Sequence, residues 1–336
     1  MRELRNLNVV VIGGGTGSFT VLTGLKKYVE HISALVSMAD DGGSTGTLRD
    51  ELGVLPPGDA RQCLVALSGS PKMRELLNYR FDEGGLSGHS FGNLFLTALE
   101  KMTGSFAEAI KVAGEILDIN GHRVIPSTLD KVTLMVDDGE KIIRHEREIR
   151  VATFANQRPR VWLEPNPKPN QEALGAIMEA DLIVVAPGGL YESLGALLVL
   201  PGFGQALAQS TAKKIYICNL MNQEKHTANF AVTDYADELE RLAGVEFLDD
   251  VIFNINIPSN KLLERYALEG ERPVVVTNLP ERHYRLHGAD LLSRTIWQNQ
   301  SKSDILADQR ALIRHDANKL AQCVLDEFYL LESASL

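Results

Sequence analysis

Apolar positions along this chain come in two textures. Short uninterrupted runs, rich in β-branched residues, occur at 8–12, 32–38, 181–186, 214–219, 250–257 and 273–277. Unbroken rather than alternating apolarity is what strands buried on both faces require. Between them, apolar residues recur at helical spacing over 18–28, 47–52, 91–103, 105–117, 228–242 and 316–331. A further helix opens at Gly58-Asp59-Ala60-Arg61, with Asp59 placed as N-cap and Cys63, Leu64 and Leu67 on its apolar face. Strand alternating with helix predicts an α/β fold, a doubly wound and mainly parallel sheet covered on both faces, because parallel neighbours need crossover connections.

The texture changes from 124 to 163. Segments 131–136 and 141–146 flank Asp137-Asp138-Gly139, an Asp-Gly hairpin signal, and Arg160-Val161-Trp162-Leu163 adds another strand. This predicts a β-hairpin insertion or edge extension over about residues 122–168, within a single domain spanning 1–336.

Composition narrows the function classes. With 336 residues, 44% of them hydrophobic, the chain can bury a large core. A net charge of −10 and a pI near 5.4 argue against a broad nucleic-acid footprint and leave small anions as ligands. Cys63, Cys218 and Cys323 are widely spaced and lack a CxxC pair, so neither a disulfide framework nor a zinc ribbon is indicated, and Cys218 reads as a core residue. The charged start at Arg2, Glu3 and Arg5 and the short apolar runs predict neither a signal peptide nor membrane insertion, so the cytoplasm is the expected location. His122, His145, His283, His287 and His315 stand in charged stretches without ligand spacing and read as surface residues.

Candidate chemistry gathers where the strands end, since open α/β sheets bind ligands beyond the carboxyl ends of their strands. Gly13-Gly14-Gly15-Thr16-Gly17-Ser18 ends the first strand, and Asp40-Asp41-Gly42-Gly43-Ser44-Thr45-Gly46 ends the second. Pro187-Gly188-Gly189 and Asn219 follow later strands, and all four turns should converge on one crevice. Glycine-rich turns before helices aim backbone N–H groups and positive dipole ends at an anion, so the pair predicts a cradle for a phosphorylated ligand, aided by the Thr16 and Ser18 hydroxyls. Ser18 replaces the third glycine of the dinucleotide fingerprint and no Gly-Lys-Ser/Thr follows, which disfavours both NAD and a P-loop.

Around these turns, Asp40 stands where a ribose-binding carboxylate would sit, and Asp41 can hold a divalent cation such as Mg²⁺ through water. Arg49 and Arg61 are candidates to grip phosphate oxygens, and Asp59 is either a helix cap or a base for a hydroxyl. His89 and Asn93, four apart in Gly88-His89-Ser90-Phe91-Gly92-Asn93, would share one helix face towards the ligand.

These motifs, with Leu55-Pro56-Pro57-Gly58-Asp59-Ala60-Arg61, Pro187-Gly188-Gly189-Leu190-Tyr191 and Cys218-Asn219-Leu220-Met221, together resemble the bacterial gluconeogenesis factor family, the YvcK-like proteins, from end to end. That family is similar in turn to the archaeal 2-phospho-L-lactate transferase (CofD-like) proteins. The resemblance implies a Rossmann-like core and a cytoplasmic protein needed for cell shape and gluconeogenic growth, which binds UDP-sugars such as UDP-N-acetylglucosamine. For that role no cofactor is required, and a regulatory protein partner and a homodimer are expected. The transferase relatives imply an alternative, transfer of a phospho-organic group with Asp59 as base and Mg²⁺ as charge neutraliser. Two stretches depart from the family pattern: Glu192 stands in the loop after Pro187, and Asn222-Gln223-Glu224-Lys225-His226-Thr227 replaces Thr-Gln-Pro-Gly-Glu-Thr. A carboxylate at Glu192 would repel a nearby phosphate unless Lys225 or a cation neutralises it.

Overall fold

The computed structural model describes residues 4–293 and 312–334. In chain order its strands are β1 (Asn8–Ile12), β2 (His31–Val36), β3 (Arg123–Pro126), β4 (Thr133–Asp137), β5 (Ile142–Arg144), β6 (Arg160–Glu164), β7 (Leu182–Val185), β8 (Lys213–Ile217), β9 (Met221–Gln223), β10 (Asp250–Asn254), β11 (Glu271–Pro273) and β12 (Arg285–Ala289). Seven of them form one sheet in the order β12-β10-β8-β7-β1-β2-β3, and every pairing in it is parallel. The chain starts in the middle at β1, steps outward to β3, then returns across β1 to β7 and steps outward the other way. The order therefore reverses between β1 and β7, which makes the fold Rossmann-like and doubly wound.

Registers set the ends of the central strands level. Ile12 of β1 pairs with Leu35 of β2 on one side and Val185 of β7 on the other, and Val185 pairs with Tyr216 of β8. The turns that follow thus leave the sheet at one height.

Both faces of the sheet are covered, which explains the unbroken apolar runs. Val10 and Ile12 point into one core with Leu35, Ile183 and Val185, while Val9 and Val11 point into the other with Ala34, Leu182 and Val184. The second core is closed by α1 (Gly15–Leu25), α3 (Gly58–Leu67), α5 (Phe91–Thr103), α6 (Phe106–Ile116) and the C-terminal helix Ala317–Ala334; α2 (Gly43–Leu52) and α4 (Pro71–Asn78) lie beside them. The first core is closed by α8 (Gln171–Glu179), the segments 190–200 and 203–207, and the helix Val232–Ala243. It also takes in the insertion, in which β5-β4-β6 form a separate antiparallel sheet carrying α7 (Glu146–Val151).

Three expectations change. The insertion begins later than 122, because 123–126 is β3, the edge of the main sheet. It is also no edge extension: Leu134, Val136, Ile149, Val161 and Leu163 are buried in the first core, so it packs on the face of the sheet. The apolar run expected as a strand at 273–277 contributes only its first residue to β11, which pairs antiparallel with β9 outside the main sheet. The outermost strand of that edge is β12 instead, unseen in the apolar pattern because an edge strand tolerates Arg285 and His287.

Helix α1 packs so closely on the C-terminal helix that a Cβ at Gly24 would lie 2.1 Å from the Ala317 carbonyl oxygen, whereas a Cβ at Gly175 in α8 would meet nothing within 4 Å. Gly24→Ala should lower stability by about 1–3 kcal/mol through forced separation. Gly175→Ala should raise it by about 0.5–1 kcal/mol through helix propensity. Urea unfolding of the two variants checks both signs.

Candidate functional site

The first glycine turn is built on close backbone approach. A Cβ at Gly17 would stand 1.7 Å from the Pro187 carbonyl oxygen, so Gly17, rather than the residue at 18, lets α1 lie against the turn after β7. A Cβ at Gly14 would stand 2.0 Å from Asp59 Oδ2, and the Gly15 N–H donates to Asp59 Oδ1 at 2.9 Å. Asp59 therefore caps α1 from the neighbouring helix. It does not cap its own α3, whose N-cap position is held by Pro57 without a side-chain bond. Thr16 is exposed, but the Ser18 hydroxyl is buried beneath the turn beside Gly13, with no hydrogen-bond partner among the described residues. Ser18 consequently faces the protein interior and not an incoming ligand.

The second turn divides its two aspartates. Asp40 Oδ1 accepts the Gly42 N–H at 2.9 Å, and a Cβ at Gly58 would lie 2.5 Å from Asp40 Oδ2, so the start of α3 lies against this carboxylate. Asp41 turns to the insertion, where its Oδ2 is 2.9 Å from His145 Nδ1 and its Oδ1 accepts the Arg147 N–H at 2.9 Å. With both oxygens engaged by protein, Asp41 ties the turn to α7 instead of standing open for a cation.

Behind this turn, Ser44 Oγ is 3.0 Å from His89 Nδ1 and accepts from Asn93 Nδ2 at 3.2 Å. His89 precedes α5, whose cap is Ser90, so the two side chains meet at Ser44 without sharing a helix face. Asn93 Oδ1 accepts from Arg61 Nε at 2.9 Å, and Arg61 Nη1 donates to Asn78 Oδ1 at 2.8 Å. Arg61 is thus a buried structural cation, and its expected phosphate grip is not what its guanidinium does here. Arg49 lies 3.8 Å from Asp41 and 3.1 Å from Asp50 and lines a cavity of about 550 Å³, together with Ser44, Arg80, His89, His145 and Arg147.

On the other flank, Asn219 clamps the turn after β7. Its Oδ1 accepts the Gly188 N–H at 3.1 Å and its Nδ2 donates to the Gly188 carbonyl at 2.8 Å. A Cβ at Gly189 would lie 2.1 Å from Glu192 Oε1, so the Glu192 side chain folds back onto this turn. The four expected turns form one chain of contacts: Asn219 to Gly188, Pro187 to Gly17, Gly14 to Asp59, and Gly58 to Asp40.

Carboxylates crowd this rim. Enclosure, followed by the charge of Asp40, pushes Asp59 up to about 7. Burial also raises Asp40, against the Gly42 hydrogen bond. Glu146, the first residue of α7, is pushed up to about 8, by burial first and then by Asp40 and Glu192, even though Arg150 donates to its Oε1. The outer oxygens of Glu146 and Glu192 are buried without hydrogen-bond partners among the described residues. The cation among these acids is Arg150, not Lys225, whose ammonium donates to the Val151 carbonyl at 3.1 Å. Beside Lys225, His226 places Nε2 3.0 Å from both the Ile149 and Ala152 carbonyls and stacks on Phe154. His145 reads as a surface residue in the sequence, Arg147 and Arg150 carry no motif, and His226 enters only as part of the stretch 222–227 that departs from the family pattern. The only signal was the density of charge in His145-Glu146-Arg147-Glu148-Ile149-Arg150.

The family described as 2-phospho-L-lactate transferase CofD matches residues 9–296. A putative gluconeogenesis factor of Aquifex aeolicus is 38% identical over 96% of this chain and 97% of its own length. Gluconeogenesis factors of Halalkalibacterium halodurans and Bacillus subtilis are 38% and 34% identical, over 96% and 95% of this chain and 97% of each relative. A crystal structure of a UPF0052 family protein from Bacillus halodurans superposes with a TM-score of 0.84 at 36% identity, covering 96% of this chain and 99% of that one. With a match over most of its length to both the family and its members, this chain belongs to the CofD-like gluconeogenesis factor family.

Proposed function

We propose that this protein binds a nucleotide sugar, with UDP-N-acetylglucosamine as the ligand to test, across the crevice between β1 and β7, and that a regulatory protein partner reads the occupied state. In this reading it works in the cytoplasm, where it supports cell shape during growth on gluconeogenic carbon sources. The observation that carries the proposal is the reversal of strand order at β1 and β7, with a glycine turn on each side of it held at one level by the register. Such a reversal opens a crevice that suits a diphosphate lying over helix N-termini. The relatives' shared name, gluconeogenesis factor, supports a regulatory role.

A transferase is the second reading, favoured by the Asp40–Asp59 pair beside a cavity large enough for another substrate. A carboxylate poised near neutral pH can take a hydroxyl proton as general base. Mg²⁺ fits this pair better than it fits Asp41, because two enclosed acids of raised affinity for protons welcome a cation that also takes phosphate oxygens. No group of three or more such ligands is assembled among the described residues, so a bound phosphate would have to complete the shell. The ion would supply charge neutralisation.

Calorimetric titration with UDP-N-acetylglucosamine tests the first reading. Gly15 has φ +62° and open space at its Cβ, so Gly15→Asp meets no clash, costs about 1–2 kcal/mol in backbone strain that a Tm measurement reads separately, and sets a carboxylate at the mouth of the turn. It should weaken binding by about tenfold or more; unchanged affinity sinks the assignment.

Asp59 yields a test of its poise. Its folded pKa lies above its unfolded value, so the folded state holds the proton more tightly, and stability falls as pH rises from about 4 to about 7. Asp59→Asn, which keeps an acceptor for the Gly15 N–H, should raise Tm at pH 8, with a smaller gain at pH 5 and none below pH 4. A Tm difference that does not vary with pH shows that the carboxylate is not strained.

A further inference from the structure

The cavity of about 550 Å³ beside α2 is lined by the turn after β2 and by none of the residues of the turns after β1 and β7. Neither Asp40 nor Asp59 lines it; these two acids lie where the turn after β2, the start of α3 and the turn after β1 meet. Three guanidinium groups line it, from three separate segments: Arg49 in α2, Arg80 after α4, and Arg147 in α7. Ser44 in the first turn of α2 adds the positive end of that helix, His89 and His145 add imidazoles, and two carboxylates, Asp41 and Asp50, stand among the three guanidinium groups. On a chain of net charge −10, this convergence of arginines runs against the average.

We propose that this cavity is a separate site for a small phosphate-bearing metabolite, occupied alongside the nucleotide sugar. The most exposed of these arginines has a partner of a kind that exchanges, while Arg49 also lies 3.8 Å from the buried Asp41 carboxylate. Arg147 pairs with its exposed neighbour Glu148 at 3.3 Å, Arg49 with its neighbour Asp50 at 3.1 Å, and Arg80 donates to the Gly88 carbonyl. Exposed pairs between adjacent residues hold weakly, whereas guanidinium groups bind phosphate oxygens in paired, charge-assisted bonds. The lining is Gly, Ser, Thr, Arg, His and Asp, without an aliphatic wall, so a lipid chain finds no surface there. The volume exceeds what one phosphate needs and suits a small metabolite that carries it.

Simultaneous occupancy rests on the nucleotide-sugar reading, while the chemistry of the cavity does not. The probe is inorganic pyrophosphate, titrated calorimetrically into the protein alone and into protein saturated with UDP-N-acetylglucosamine. Saturable binding in both states is expected, weakened roughly tenfold or more by Arg147→Gln and by Arg49→Gln, with affinity for the nucleotide sugar unchanged in Arg147→Gln. Arg147 is exposed, so its variant should keep the Tm of the parent. Absence of pyrophosphate binding, or full binding in both variants, overturns the site. Competition with UDP-N-acetylglucosamine, or loss of both ligands in Arg147→Gln, overturns separateness and makes the cavity the nucleotide's own phosphate seat. If pyrophosphate binds through these arginines while the nucleotide sugar does not bind at all, the earlier reading fails and the anion site stands.

Discussion

Everything at the rim of this sheet depends on glycine backbone approaching its neighbours, a carbonyl in one place and carboxylates in two, more closely than any Cβ would allow. Gly17 against the Pro187 carbonyl, Gly14 against Asp59 and Gly58 against Asp40 are three places where a single added carbon would pry neighbouring turns apart. The parallel register brings the turns to one height; the missing Cβ atoms let them touch. Remove either condition and β1, β2, β7 and α3 would still form, but their ends would no longer share a crevice.

The electrostatics of the rim follow from that closeness. Asp40, Asp59, Glu146 and Glu192 come from four different segments and cluster about Arg150, and the pKa values of Asp40, Asp59 and Glu146 rise as burial strips them of water. Such an arrangement favours protons or cations over bare phosphate. The arginines of the cavity lined by Asp41 and α2 favour the opposite partner. The site thus has an acid-rich centre flanked by an arginine-rich pocket, a contrast invisible in a net charge of −10.

Much of the fold was legible because doubly covered parallel strands write themselves as unbroken apolar runs, and the glycine turns because they interrupt those runs at one end. Side-chain allegiance was not legible. Asp59 looked like the cap of its own helix and caps another, because its segment is brought to Gly15 by contacts 44 positions apart in sequence. Arg61 looked like a phosphate ligand, but Asn93 and Asn78, each on a different helix, had taken its donors. The insertion hid its role for a related reason: six charged and apolar residues in a short helix carry too little periodicity to show which face is buried. Glu146 and Ile149 are both buried, so the inner side carries a charge beside its one apolar residue, and Arg150 turns back to pair with Glu146 while Arg147 is exposed.

Helix α7 is fastened at both ends to different parts of the rim. At its start, His145 and Arg147 hold Asp41 of the turn after β2; at its finish, His226 and Lys225 of the segment after β9 hold the carbonyls of Ile149, Val151 and Ala152. Too short to flex within itself, it acts as a strut between two strand ends that never touch in the sheet. Displacing either anchorage must therefore break its hydrogen bonds or drag the other one along.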